Sequence, residues 1–155
     1  MLKKCISDKD RFEKLPDDEA FTFYERTMGS AVFACTALEA FVNEQIPDTY
    51  THIDSSDKRF TRTFNKEQIE RQLSLEAKIG DVIPAVLGVP FPKGGKLWSA
   101  FIKLRDLRDR VIHRKTKDRE SIFGKSDSIW HSLMSNPLPE TYTTAKRIMA
   151  HFVAV

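Results

Sequence analysis

The chain has 155 residues and a net charge of +3, with 41 % apolar and 30 % charged residues. That size and balance fit one globular domain, and they exclude a low-complexity or highly charged disordered chain. No apolar run approaches the roughly 20 residues of a membrane span, so membrane association is not expected.

The N-terminal stretch MLKKCISDKDRFEKL carries charges but no apolar signal core. The two cysteines, Cys5 and Cys35, form neither a CxxC pair nor a disulfide framework. A reducing cytoplasm is the expected location.

From residue 17 to 46 the positions Tyr24, Met28, Ala31, Cys35, Leu38, Val42 and Ile46 recur every three or four residues, which predicts a long helix. Phe21, Val32 and Phe41 widen its apolar stripe. Asp17, Asp18 and Glu19 favour the first turn, and Pro16 and Pro47 bracket the helix. Residues 47–65 have no sustained period and read as an irregular loop. Asn65 is placed to cap a helix over 66–79, with Ile69, Leu73 and Ala77 on one face and Gly80 ending it. The piece DVIPAVLG is interrupted by Pro84 and reads as a short helix or turn.

A further strong helix is predicted over 95–115, with Leu97, Trp98, Phe101, Leu104, Leu107, Val111 and Ile112 as its buried face. Residues 118–134 are ambiguous, with a short helix conceivable around SDSIWHSLM. A last helix over about 140–153 carries Tyr142, Ala145, Ile148, Met149 and Phe152. With no repeat and no long alternating run, the expectation is a single all-α domain over 1–155, an up-and-down bundle of four or five helices with its core at about 17–153.

Several motifs have chemistry to consider. GVPFPKGGKLW places a GK pair before a helix, but Pro90 and Leu97 stand where a phosphate-binding loop needs Gly and a hydroxyl residue, and no strand precedes it. A Gly-rich helix-capping turn is the better reading. His52, His113, His131 and His151 are scattered, so no metal site and no cofactor are expected. Glu39 and Asn43 lie one turn apart and suit either a plain helix surface or a cleft between helices.

The charge concentrates between residues 101 and 119, where eight Lys or Arg face three Asp. Such a stripe on a near-neutral chain points to an anionic partner, although a solvated helix face has the same composition. Within it, RDRVIH puts Arg108 and His113 five residues apart, about 140° around a helix. Asp109, four residues before His113, can reach the imidazole and fix its tautomer. A plain helix end, with a histidine complementing the dipole, also explains this pattern.

The Arg-x4-His spacing near the end of an amphipathic helix resembles the signature of the HEPN superfamily (higher eukaryotes and prokaryotes nucleotide-binding). SAVFACTALEAFVNEQI, with its Glu and Asn, is similar to an early helix of many bacterial members. LSLEAKIGDVIPAVLG and the following GGKLWSAFIKLRDLRDRVIH are similar to their middle section. The match covers about residues 20–115.

The resemblance implies a four- or five-helix bundle that dimerises. It also implies a metal-independent ribonuclease, of toxin or phage-defence type, that cuts RNA by 2′-hydroxyl attack in a cleft at the dimer interface. The partners it implies are RNA and, for a toxin, an antitoxin protein. On this basis His113 would transfer protons, Arg108 would hold phosphate and Asp109 would orient the histidine. Arg105, Arg110, Arg114, Lys115 and Lys117 would gather the RNA backbone, and Glu39 and Asn43 would line the cleft. Other members only bind nucleotide, RNA or protein, which is the alternative. Lys115 occupies the position where one branch of the family has a modifiable Tyr, so that modification is not expected here.

Overall fold

The computed structural model describes residues 16–54, 60–113, 129, 132–133 and 138–153. Helix α1 (Asp17–Gln45) leads into a hairpin of β1 (Thr51–Asp54) and β2 (Arg62–Asn65). Helix α2 (Lys66–Gln72) follows. Then come α3 (Leu75–Ala77), a π-helical turn (Lys78–Val82) and α4 (Ile83–Leu87). The long helices α5 (Lys96–Ile112) and α6 (Leu138–Val153) complete the described elements. The protein is an all-α helical bundle in which α1, α5 and α6 pack on one another pairwise and the hairpin is an appendage.

The stripe predicted on α1 is the core-facing one. Tyr24, Ala31, Cys35, Leu38, Val42 and Ile46 are buried and Met28 packs against them. Phe21 does not widen it, being 71 % exposed. Opposite, α5 contributes Phe101, Leu104 and Leu107, while Ile112 lies out in solvent past the end of the packed face. From α6 come Ala145, Ile148 and Phe152; Tyr142 was expected in that stripe but is 65 % exposed. Both exposed aromatics sit near the start of their helices, where no neighbouring element is packed against them among the described residues.

The region expected to be an irregular loop contains the antiparallel hairpin, in the register Thr51↔Asn65, His52↔Phe64, Ile53↔Thr63 and Asp54↔Arg62. Only Phe64 is buried. One buried side chain over two four-residue strands leaves too little alternation for a period to register. Lys66 donates to Asp48 at 2.7 Å, tying the start of α2 to the chain ahead of the hairpin.

Asn65 does cap α2, and with a full capping box: its Oδ1 accepts from the Gln68 N–H and its own N–H donates to Gln68 Oε1, both at 2.9 Å. Asn65→Ala is expected to lose about 1 kcal/mol, read as a lower urea midpoint at unchanged slope.

The helix predicted over 66–79 is broken. Leu73 is extended, and Ser74 starts a new helix by accepting from the Ala77 N–H at 3.2 Å. Nor does Gly80 end a helix. It is buried inside the π-helical turn because the Lys93 side chain and the Trp98 ring lie where a Cβ would be, 2.7 and 3.0 Å away. Gly88, at φ 69°, makes the left-handed stop after α4 instead. The loop that follows is pinned by Phe91, which sits between Trp98 and Phe152 with ring centroids 5.8 and 5.4 Å away. His151, in the last turn of α6, hydrogen-bonds the Pro90 carbonyl at 3.0 Å.

Candidate functional site

Cys35, Glu39 and Asn43 are spaced by four on α1, so they form one row along the flank that meets the π-helical turn and α5. The π-helical turn carries Lys78, whose side chain is wholly buried. Its ammonium donates to the Glu39 carboxylate, to Asn43 Oδ1 at 3.0 Å and to the Glu70 carbonyl at 2.9 Å. Three N–H groups meet three acceptors, which is what a buried ammonium requires. Glu39 and Asn43, expected as cleft residues, are thus drawn together by a lysine that the sequence reading did not single out. A signal was present. Lys78 stands three residues after Leu75 and four before Val82, within an apolar stripe.

A second charged group lies on the adjoining side of α5. Arg105 pairs with Glu76 of α3 and with Asp106, to whose carboxylate its Nη2 donates at 2.8 Å. Arg108 pairs with Asp109 at 2.9 Å and lies near enough to Cys35 to act on its thiol. Asp109 was expected to orient His113. Its carboxylate engages Arg108, and it is the Asp109 backbone carbonyl that accepts from the His113 N–H, at 2.8 Å.

Burial pushes the Cys35 thiol up, against the opposing pull of the nearby Arg108 guanidinium. A neutral, buried thiol is a poor nucleophile. In a Cys5→Ser background, Cys35 is therefore expected to resist iodoacetamide in the folded protein at neutral pH and to react on unfolding in urea. Mass spectrometry of the adduct reads both states, and rapid labelling of the native chain would contradict this burial.

His113 terminates α5 and is exposed. Five residues carry it about 140° around from Arg108. The two side chains of the expected catalytic pair therefore leave the helix in different directions, the arginine along the α1 seam and the histidine outward. Among the described residues the His113 imidazole has no hydrogen-bond partner.

The remaining basic residues are placed as follows. Arg110 donates from Nη1 to the Ser132 hydroxyl at 2.8 Å, so it links α5 to a later segment. Arg114, Lys115 and Lys117 lie outside the described residues, as does His131. No group of three or more His, Cys, Asp or Glu that could hold a metal ion occurs among the described residues. Among them, too, no helix is long and apolar enough to cross a membrane.

The class that fold and site define is an all-α bundle with a buried Lys–Glu–Asn cluster and an Arg–Asp pair leading to a helix-terminal histidine. Comparison with protein-family models, with curated proteins and with solved structures gives no match.

Proposed function

We propose that the protein is a metal-independent endoribonuclease of HEPN type, acting as a homodimer at the end of α5 in a toxin or phage-defence setting. The observation that carries this reading is the layout of RDRVIH. Arg108 is paired with Asp109 on the packed flank near Cys35, and His113 stands exposed at the helix end. An exposed imidazole can exchange a proton with the RNA 2′-hydroxyl or with the leaving oxygen. A positioned guanidinium can hold the phosphate and stabilise the charge growing on it.

One chain supplies one such histidine and directs Arg108 away from it. The mechanism accordingly calls for two copies related by a two-fold axis, the His113 of one approaching the Arg108 of the other. Arg114, Lys115 and Lys117 would extend the phosphate contacts, a contribution that weakens with salt.

A second reading is a non-catalytic module that binds nucleotide, RNA or protein. The observation favouring it is that Arg105, Arg108 and Arg110 all have partners within the chain, which spends part of their donor capacity on the fold. The deciding experiment is RNA cleavage by the purified protein in EDTA, with the ends identified by mass spectrometry and the oligomeric state by light scattering. Cleavage by a dimer that leaves 2′,3′-cyclic phosphate supports the nuclease; binding without cleavage over a broad RNA panel supports the module.

A further inference from the structure

Phe33 stands in the middle of α1 with 74 % of its surface exposed. Cys35, buried toward α5, lies about 200° around the helix from it, so Phe33 faces away from the bundle. The face around it carries no charge. From Thr27 to Asn43 the only charged residue is Glu39, and Lys78 holds that carboxylate on another flank. Charged residues make up 30 % of the chain, and the solvent side of a helix is where they collect. On α1, Gly29, Phe33, Thr36, Ala37 and Ala40 take that side instead, with Thr36, Ala37 and Ala40 exposed beside the ring.

Gly29 has no role within its own chain. A Cβ there would meet only the edge of the Phe33 ring, at 3.9 Å, an ordinary contact. Glycine inside a helix costs stability relative to alanine, and what it permits is the close approach of another surface.

The two ends of this face are charged, with opposite signs. Arg26 is seven residues before Phe33, and Glu44 is seven residues after Ala37. Seven residues return a side chain to within about 20° of its starting direction, so both belong to the Phe33 face. Both are exposed, and neither forms an ion pair among the described residues. Glu44 also stands in the last turn of α1, where the helix dipole disfavours a carboxylate and no basic residue of that turn offsets it.

This pattern is complementary to itself when reversed. A two-fold axis crossing α1 at the level of Cys35 sets Arg26 opposite the partner's Glu44 and Glu44 opposite the partner's Arg26. The same axis lays Phe33 on the partner's Ala37. A parallel pairing would set like charge on like charge at both ends and is disfavoured.

We propose that the outer face of α1 is an interface between two copies of this chain, packed antiparallel over Phe33 and closed by two Arg26–Glu44 ion pairs between subunits. One helix from each subunit is a small contact, below the roughly 800 Å² per partner of a standard interface, so dissociation on the order of micromolar is expected. The face points away from Arg108, so this contact is distinct from the two-fold cleft of the ribonuclease reading and does not rest on it. With both contacts formed, the assembly exceeds two chains.

The test is sedimentation equilibrium of the full chain over concentrations that bracket dissociation constants of about 1–100 µM. Reversible association is expected, and Phe33→Glu should remove that step. Arg26→Glu and Glu44→Arg each turn both ion pairs into like-charge contacts, and each should weaken association by roughly tenfold or more. Mixed in equal amounts, these two variants should associate as the parent does, because in the mixed dimer every introduced charge faces one of opposite sign. All three positions are exposed, so the variants keep the fold, which circular dichroism verifies. A parent that stays monomeric over the whole range would overturn the interface. So would association that Phe33→Glu leaves unchanged, the result expected of a dimer formed only at the end of α5. A mixture that fails to associate would overturn the antiparallel register.

Discussion

Glu39→Ala is expected to destabilise the protein by about 3 kcal/mol, the largest loss predicted for any single polar side chain here. The change strands the Lys78 ammonium, which has no exposed surface and keeps only Asn43 and the Glu70 carbonyl as partners. An unpaired buried cation cannot recover its hydration without opening the π-helical turn. The estimate sits at the low end for buried pairs because Glu39 is itself 35 % exposed and its interaction is partly screened by water. Lys78→Met should cost less. The thioether chain fills most of the same volume, and the Glu39 carboxylate left behind can turn to solvent. Combining the two changes should cost much less than their sum, since each single variant already loses the same interaction. Urea unfolding followed by circular dichroism measures all three. A Glu39→Ala protein within about 0.5 kcal/mol of the parent, the range of an ordinary surface substitution, would show that the cluster contributes little.

On the ribonuclease reading, His113→Ala should lower the rate of RNA cleavage in EDTA by roughly a hundred- to ten-thousandfold, the usual worth of a general acid or base. Arg108→Ala should lower it by roughly a hundred- to a thousandfold through lost stabilisation of phosphate charge. His113 is exposed at the helix end, so its replacement should leave stability nearly unchanged. Arg108→Ala also removes the ion pair with Asp109 and the positive charge beside Cys35. Arg108→Lys separates the two effects, keeping the charge while giving up the planar guanidinium fork. Mixing the two inactive variants adds a direct test of the dimer. If each active cleft takes His113 from one chain and Arg108 from the other, heterodimers of the single variants regain one intact cleft and part of the activity. Activity that survives His113→Ala would remove the histidine from the chemistry.

The helices of the bundle were legible because each long one repeats its apolar residues at a constant period over four turns or more. The 29 residues of α1 read this way almost to the residue, whereas α5, expected over 95–115, ends at Ile112 with His113 as its C-cap. Asn65 was legible for a different reason, since a cap is a local contract between a side chain and backbone three residues on. Where the period was short or composite, the reading failed. The hairpin buries Phe64 alone, and the stretch from Lys66 to Leu87 changes helix type twice within about twenty residues.

For the candidate site, the sequence by itself determined which polar side chains are candidates and how far apart they stand along each helix. Glu39 and Asn43 share a row on α1, and Arg108 and His113 diverge by about 140° whatever the helix packs against. Only the tertiary structure decided the partners. A carboxylate and an amide from α1 and a backbone carbonyl from α2 converge on Lys78, and Asp109 turns to Arg108 rather than to His113. Helical spacing fixes neighbours within one helix, whereas a buried charge takes its partners from whichever elements the packing of apolar stripes brings beside it. That second choice depends on how α1, the π-helical turn and α5 meet, which no local pattern in the chain encodes.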